Sequence, residues 1–129
     1  MSNYSSYRKQ VLEVSQHLWR EGYFGTKQGS GGNVSALIDG EEAIAVTPSA
    51  KNYGELKPDD ICIVDFEQNR IEGTLDPSVE TAMHLAVYKE RPDVSAVIHT
   101  HQPFASIFAV LNESIPALFD EVSVAIGPE

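Results

Sequence analysis

Apolar positions recur along the chain at two different spacings, and each spacing predicts an element. Over residues 4–21, Tyr7, Val11, Val14 and Leu18 fall at helical intervals, with Leu12, Ser15 and Trp19 beside them. Arg8, Lys9, Glu13, Gln16 and Arg20 take the other side. One apolar stripe with a polar back is the mark of a surface helix, and Gly22 is a plausible stop. Residues 34–38 and 43–47 read as the two strands of a hairpin, because Asp39-Gly40 between them is a strong turn signal. Residues 60–66 predict another strand, Gln68-Asn69 a turn and residues 70–72 a short return strand. A second helix opens over residues 76–80 with Ser78 as its natural N-cap. Val79, Met83, Ala86 and Val87 supply its apolar face, and it runs out near Glu90-Arg91-Pro92. Val94, Ala96, Val97 and Ile98 then predict a buried strand. A third helix is expected from Pro103 to about Leu111, with proline at its first position and Phe104, Ile107, Phe108 and Leu111 as its core stripe. Beyond Ile115 the apolar segments are broken by Pro116 and Gly127-Pro128, and no clear terminal element is expected.

Length and composition narrow the class. The 129 residues suggest a single domain, 1–129, with room for a real core. Apolar content of 42% and charged content of 22% are ordinary for a soluble globular protein. The formal net charge of −10 argues against nucleic acid or an anionic membrane as partner, since both call for clustered Lys and Arg. An anionic substrate has to be held by local donors against that overall field. Cys62 is the one cysteine, which rules out an internal disulfide and fits a reducing cytoplasm. It sits within Ile61-Cys62-Ile63-Val64, where a buried inert thiol is expected. No apolar h-region follows Met1, and no apolar run approaches the ~20 residues of a membrane span.

Candidate chemistry concentrates in four places. His99-Thr100-His101 closes the predicted strand at residues 94–101; residues i and i+2 of a strand share a face, so both imidazoles would project together. Two side-by-side imidazoles suit a borderline-soft divalent metal such as zinc, or they are simply polar residues at a strand exit. Gly29-Ser30-Gly31-Gly32-Asn33-Val34-Ser35 is a loop whose backbone can approach a ligand closely and offer amides to an anion, or a turn before a strand; it lacks the Gly-Lys-Ser/Thr of a Walker A loop. Thr47-Pro48-Ser49-Ala50-Lys51 is a second polar loop with hydroxyls and a cation. Glu80 lies in the first turn of the second helix, where the helix dipole favours a carboxylate and where a ligand would meet it. His84, four residues on, shares its face and either orients the carboxylate or packs. His17 has no ligand types near it and reads as structural or exposed.

Taken in order, Gly31-Gly32-Asn33-Val34-Ser35, Val46-Thr47-Pro48-Ser49-Ala50 with Tyr53, Pro77-Ser78-Val79-Glu80 with His84 and Tyr88, Arg91-Pro92-Asp93 and His99-Thr100-His101 resemble the class II aldolase/adducin family. The resemblance runs from about Gly29 to about Gly127. It implies an α/β fold: a three-layer α/β/α sandwich around a mainly antiparallel sheet, assembled as a homotetramer. It implies His99 and His101 as ligands of Zn2+ or another divalent metal, Glu80 as the catalytic acid/base, and Ser30, Asn33, Ser49, Ala50 (through its amide) and Ser78 around a phosphate. The activity it implies is lysis of a ketose phosphate, such as L-fuculose 1-phosphate, to dihydroxyacetone phosphate and an aldehyde. A dehydratase, decarboxylase or 4-epimerase of the same superfamily is the alternative, as is a non-catalytic adducin-like interaction module. Glu80 favours the aldolase, since epimerases of the family usually place aspartate there. Val79 stands where a second serine is common, and Ala50 where glycine is usual. The family's third metal histidine and a distal tyrosine lie downstream of residue 129, so the chain is expected to be the N-terminal part of a longer catalytic domain.

Overall fold

The computed structural model describes residues 4–25 and 31–125. Helix α1 (Ser5–Arg20) leads into five strands, β1 (Asn33–Leu37), β2 (Ala43–Val46), β3 (Cys62–Asp65), β4 (Arg70–Glu72) and β5 (Ala96–His99), with α2 (Thr81–Glu90) inserted before β5. Two helices follow, α3 (Pro103–Leu111) and α4 (Asp120–Ala125). The strands form one sheet in the order β4-β3-β2-β1-β5, with every neighbouring pair antiparallel.

Alternation along the strands makes two cores. Ala43 and Ala45 of β2 and Ile63 of β3 pack with Val11 and Leu12 of α1 on one face. Ile44 and Val46, with Cys62 and Val64, pack with Leu85 and Tyr88 of α2 on the other. Side chains on successive strand residues point to opposite faces, so central strands apolar on both sides must be covered on both sides. This is the α/β arrangement with helices on both sheet faces that the sequence implies.

Six details differ from the expectation. First, α2 begins at Thr81, not at Ser78. The Ser78 carbonyl accepts from Thr81 N–H and its hydroxyl from Glu80 N–H, making a turn that precedes the helix. Glu80 is therefore the N-cap residue itself, just ahead of the first turn, and its carboxylate does not cap the helix. Second, the expected core stripe of α3 is not core: Phe104 is 75% exposed, and Ile107, Phe108 and Leu111 are exposed as well, because no described element packs over them. Third, a short α4 exists where no element was expected. Fourth, β5 ends at His99, so His101 lies beyond the strand. Fifth, β5 is not a buried strand: Ala96 and Ile98 are exposed, because β5 lies at the sheet edge. Sixth, two helix faces are turned from those expected: α2 buries Thr81, His84, Leu85 and Tyr88 against the sheet and leaves Val79, Met83 and Ala86 exposed, and α1 buries Arg8, paired with Glu72, while Val14 is exposed. Elsewhere the expectation holds: Gly22 ends α1 with φ +83°, and β4 returns along β3. Cys62 is buried, and burial pushes its thiol up to about 11, as an inert core sulfur requires. Among the described residues no helix is long and apolar enough to cross a membrane.

Backbone hydrogen bonds bring the functional loops together. Thr47 N–H donates to Val34 carbonyl, Ser78 N–H to Thr47 carbonyl and Ser49 N–H to Asp76 carbonyl, while Pro48 and Pro77 bridge. Residues 47–50 and 76–78 are thus laced side by side above the end of β1. On the other side, Gly32 lies at φ +71° with no room for a side chain: a Cβ there would sit 2.7 Å from the His99 carbonyl oxygen and run into the Phe24 ring. Tyr53 stacks on Phe24 at 4.8 Å between ring centres and donates its hydroxyl to the Gly32 carbonyl at 2.7 Å. Gly32→Ala combines a left-handed backbone with a backbone clash and is expected to destabilise the fold by about 2–4 kcal/mol, read from the urea midpoint.

His84 of α2 is buried at 0% exposure against β1. Burial pushes its imidazole down from the usual 6.5 to about 4, so the native state holds it neutral. The unfolded chain binds that proton at higher pH than the native chain does. Unfolding free energy is therefore expected to fall as pH is lowered from about 6.5 toward about 4 and to level below, by linkage. Glu80 and Asp93, whose carboxyls are held below their ordinary range, add a loss of the same sign at still lower pH. Denaturation at stepped pH on the wild type and on His84→Gln checks this: the decline above pH 5 should disappear in the variant.

Candidate functional site

Register builds the centre of the site. In the antiparallel pairing of β1 with β5, Asn33 lies directly opposite His99. Directly opposed side chains in an antiparallel pair stand on the same face and within reach of one another. Glu80, at the head of α2, projects between them. Its Oε2 accepts from Asn33 Nδ2 at 2.5 Å and from His99 Nδ1 at 2.5 Å. The Asn33 hydrogen bond above all, and then the His99 bond, hold the Glu80 carboxyl below its ordinary value against the opposing effect of burial. Glu80 is accordingly an ionised carboxylate at neutral pH, poised to accept a proton.

His101 reaches the same place by another route. The chain leaves β5 after His99, and His101 N–H donates to the Tyr23 carbonyl at 3.0 Å. The two imidazoles still meet, edge to face, with ring centres 5.0 Å apart. Gly31 makes room for this: a Cβ there would lie 2.7 Å from His101 Nδ1. The expectation that the histidines converge holds, although loop geometry rather than strand periodicity places the second.

A cleft of about 240 Å³ opens beside them, lined among others by Gly31, Gly32, Ser49, Ala50, Ser78 and Glu80, with His101 at one wall. Asn33 also borders it, but both polar ends of its carboxamide are already engaged, by Glu80 and by His84. Ser30 lies outside the described residues. Ala50 adopts φ +52°, the left-handed conformation that favours glycine, which is the physical reason glycine is usual there. Val79 is 87% exposed at the rim and gives the cleft an apolar wall where a hydroxyl was the alternative. Lys51 lies outside this cleft, in an adjoining hollow with Asp76 and Thr74. His17 stands exposed on α1, away from the site.

Behind Glu80 stands His84, for which the sequence left orienting the carboxylate or packing open, and with it Ser35 and Tyr88, to which sequence reasoning gave no part in the chemistry. His84 Nδ1 lies 2.7 Å from Ser35 Oγ, and Ser35 Oγ lies 2.8 Å from Tyr88 OH. A signal was present: Asn33 and Ser35 put polar groups on one face of a strand whose other face carries Val34, and Glu80, His84 and Tyr88 repeat at i+4 on the helix that covers it.

The residues present suit a divalent metal in kind and in part. His99 turns Nδ1 to a carboxylate, the kind of hydrogen bond that orients metal-binding histidines. His101 adds a second, exposed imidazole beside it. Among the described residues no group of three or more His, Cys, Asp or Glu side chains converges into a full ligand set.

Comparison with known proteins agrees with the fold. The chain is 39% identical over 104 residues to a 5-deoxy-D-ribulose 1-phosphate aldolase of Bacillus thuringiensis serovar kurstaki, covering 81% of this chain and 48% of that protein. It is 35% identical over 111 residues to an L-ribulose-5-phosphate 4-epimerase of Salmonella paratyphi B, covering 86% and 47%. Among solved structures, an L-fuculose 1-phosphate aldolase superposes with a TM-score of 0.83 at 32% identity, over 96% of this chain and 56% of that one. The chain spans about half the length of the curated relatives it matches. Residues 9–128 match the profile of the class II aldolase and adducin N-terminal domain, and the chain belongs to that family.

Proposed function

We propose that this chain carries the proton-transfer and anion-binding part of a zinc-dependent aldehyde-lyase that splits a ketose 1-phosphate into dihydroxyacetone phosphate and an aldehyde. The observation that carries the reading is the ionised Glu80 carboxylate, held by two hydrogen bonds at the wall of a cleft lined with glycine backbone and hydroxyls. A phosphate needs donors, not net positive charge, when backbone amides and hydroxyls converge on it. Ser49 and Ser78, with the Ala50 amide, supply such groups in a chain of net charge −10. Cleavage of the bond between C3 and C4 leaves its electron pair on C3 of the dihydroxyacetone phosphate half. The C4 hydroxyl loses its proton as its carbon becomes the aldehyde. Glu80 Oε2, ionised at the outset, takes that proton and returns it at C3 in cleavage, and it runs the same transfer in reverse in condensation. His99 and His101 would hold the metal, with a third ligand from elsewhere in the longer protein. When bound, the metal supplies polarisation of the substrate carbonyl and hydroxyl.

Two of the relatives are named as aldolases of 5-deoxyribulose 1-phosphate and its 5-methylthio analogue, and a structural neighbour as an L-fuculose 1-phosphate aldolase. The substrate class proposed is therefore a ketose 1-phosphate with an apolar or deoxy far end. A second reading, 4-epimerisation, rests on the epimerase relatives. The assembly proposed is a homotetramer in the cytoplasm.

In the complete domain, His99→Ala and His101→Ala are each expected to remove bound zinc and metal-dependent turnover. Metal content by plasma emission spectroscopy reads this directly; unchanged stoichiometry sinks the ligand assignment, and a wild type that binds no metal favours a non-catalytic adducin-like scaffold. Glu80→Gln is expected to keep zinc while lowering retro-aldol turnover roughly 10²–10⁴-fold, the usual worth of a positioned acid/base. Turnover near wild type in that variant removes Glu80 from the proton transfer.

A further inference from the structure

We propose that His84, backed by Ser35 and Tyr88, is a positioning residue that locks the Asn33 carboxamide with its nitrogen toward Glu80. The proposal rests on the reading of Glu80 as the proton-transfer carboxylate. It follows from the direction in which each hydrogen bond of the column can run.

An ionised carboxylate only accepts. Asn33 must therefore face Glu80 with Nδ2, which leaves Oδ1 facing His84 Nε2. A carbonyl oxygen also only accepts, so His84 Nε2 carries a hydrogen and donates it. The imidazole is fully buried, and burial keeps it neutral, so Nδ1 bears a lone pair and accepts from the Ser35 hydroxyl. Ser35 oxygen in turn accepts from the Tyr88 hydroxyl. Four groups from α2 and β1 thus donate in one sense, ending on Glu80. Hydrogen bonds aligned head to tail polarise one another. The reverse orientation of Asn33 would set its carbonyl against the carboxylate and its amine against a donor nitrogen. A charged or Nδ1–H histidine would break the column at one end or the other.

This gives His84 a task that packing alone does not. A carboxamide is nearly symmetric in shape, so apolar packing cannot choose between its two orientations, whereas a donor fixed at Nε2 can. Locked this way, Asn33 keeps its donor on Glu80 and holds the carboxylate ionised and aimed toward His99.

The test is nuclear magnetic resonance on the full 129-residue chain, labelled with 15N. In the wild type, His84 is expected as the neutral Nε2–H tautomer, and the Asn33 amide protons as a widely split, exchange-protected pair. His84→Leu and Ser35→Ala are expected to speed exchange of that pair about tenfold, the worth of one lost hydrogen bond of ordinary strength. His84→Gln, which can place an amide N–H where Nε2 stands, is expected to restore protection. Ser35→Ala keeps the test informative if His84→Leu fails to fold, and the wild-type tautomer needs no variant at all. A wild-type Nδ1–H tautomer, or Asn33 protection unchanged in Ser35→Ala, overturns the proposal. A pinned Asn33 alongside a complete domain that has no lyase turnover overturns the function proposed above and leaves the positioning role standing.

Discussion

The site depends on the need of buried polar groups for partners. β1 is paired on both sides, by β2 and β5, and presents Asn33 and Ser35 to the face covered by α2. An unsatisfied amide or hydroxyl at such a place costs about 1–3 kcal/mol. The helix meets that demand with Glu80, His84 and Tyr88. The satisfaction of two strand residues thus fixes the axial position and rotation of α2 on the sheet. It also brings a carboxylate to the end of β1, where the register already places His99 opposite Asn33. Structural necessity and the placement of the reactive group are here the same set of contacts.

Glycine acts at a second level. Gly31 and Gly32 do not cradle a ligand in isolation; their lack of side chains lets the loop close on Phe24 and on both histidines. Ala50 shows the converse, a side chain tolerated in a left-handed conformation at the rim of the cleft. The one loop position thus keeps its backbone shape while giving up the freedom glycine would bring.

Much of the fold was legible because apolar periodicity is local. The α1 stripe, the hairpin around Asp39-Gly40, the return strand at Arg70 and the helix start at Pro103 all follow from near neighbours in sequence. The errors came where a distant segment decides. Ser78 looked like a helix cap, but the Pro48–Pro77 bridge and the Thr47–Ser78 hydrogen bond draw it into a turn. Phe104, Ile107, Phe108 and Leu111 have the spacing of a buried face, yet burial depends on what lies opposite, which spacing does not encode. Of the site, residue types at strand and helix ends singled out Glu80, His99 and His101, and the family resemblance implied their roles. Ser35 escaped because its importance comes from a helix some fifty residues away, Tyr88 lying 53 positions along the chain. Strand alternation predicted that His99 and His101 would meet; they do, through a loop, so the outcome was right for a different geometric reason.

The position of β5 in the sheet order carries a further consequence. It is the edge strand at the β1 end, hydrogen-bonded on one side only among the described residues, while Asn33 rides on an interior strand. Edge elements open at lower free energy than interior ones. The donor set is therefore mounted half on rigid and half on yielding ground. Any ligand that bridges β5 to the head of α2 would draw on mass action to close that edge, since whatever binds the closed state alone stabilises it. Occupancy of the site and mechanical integrity of the sheet margin would then rise and fall together.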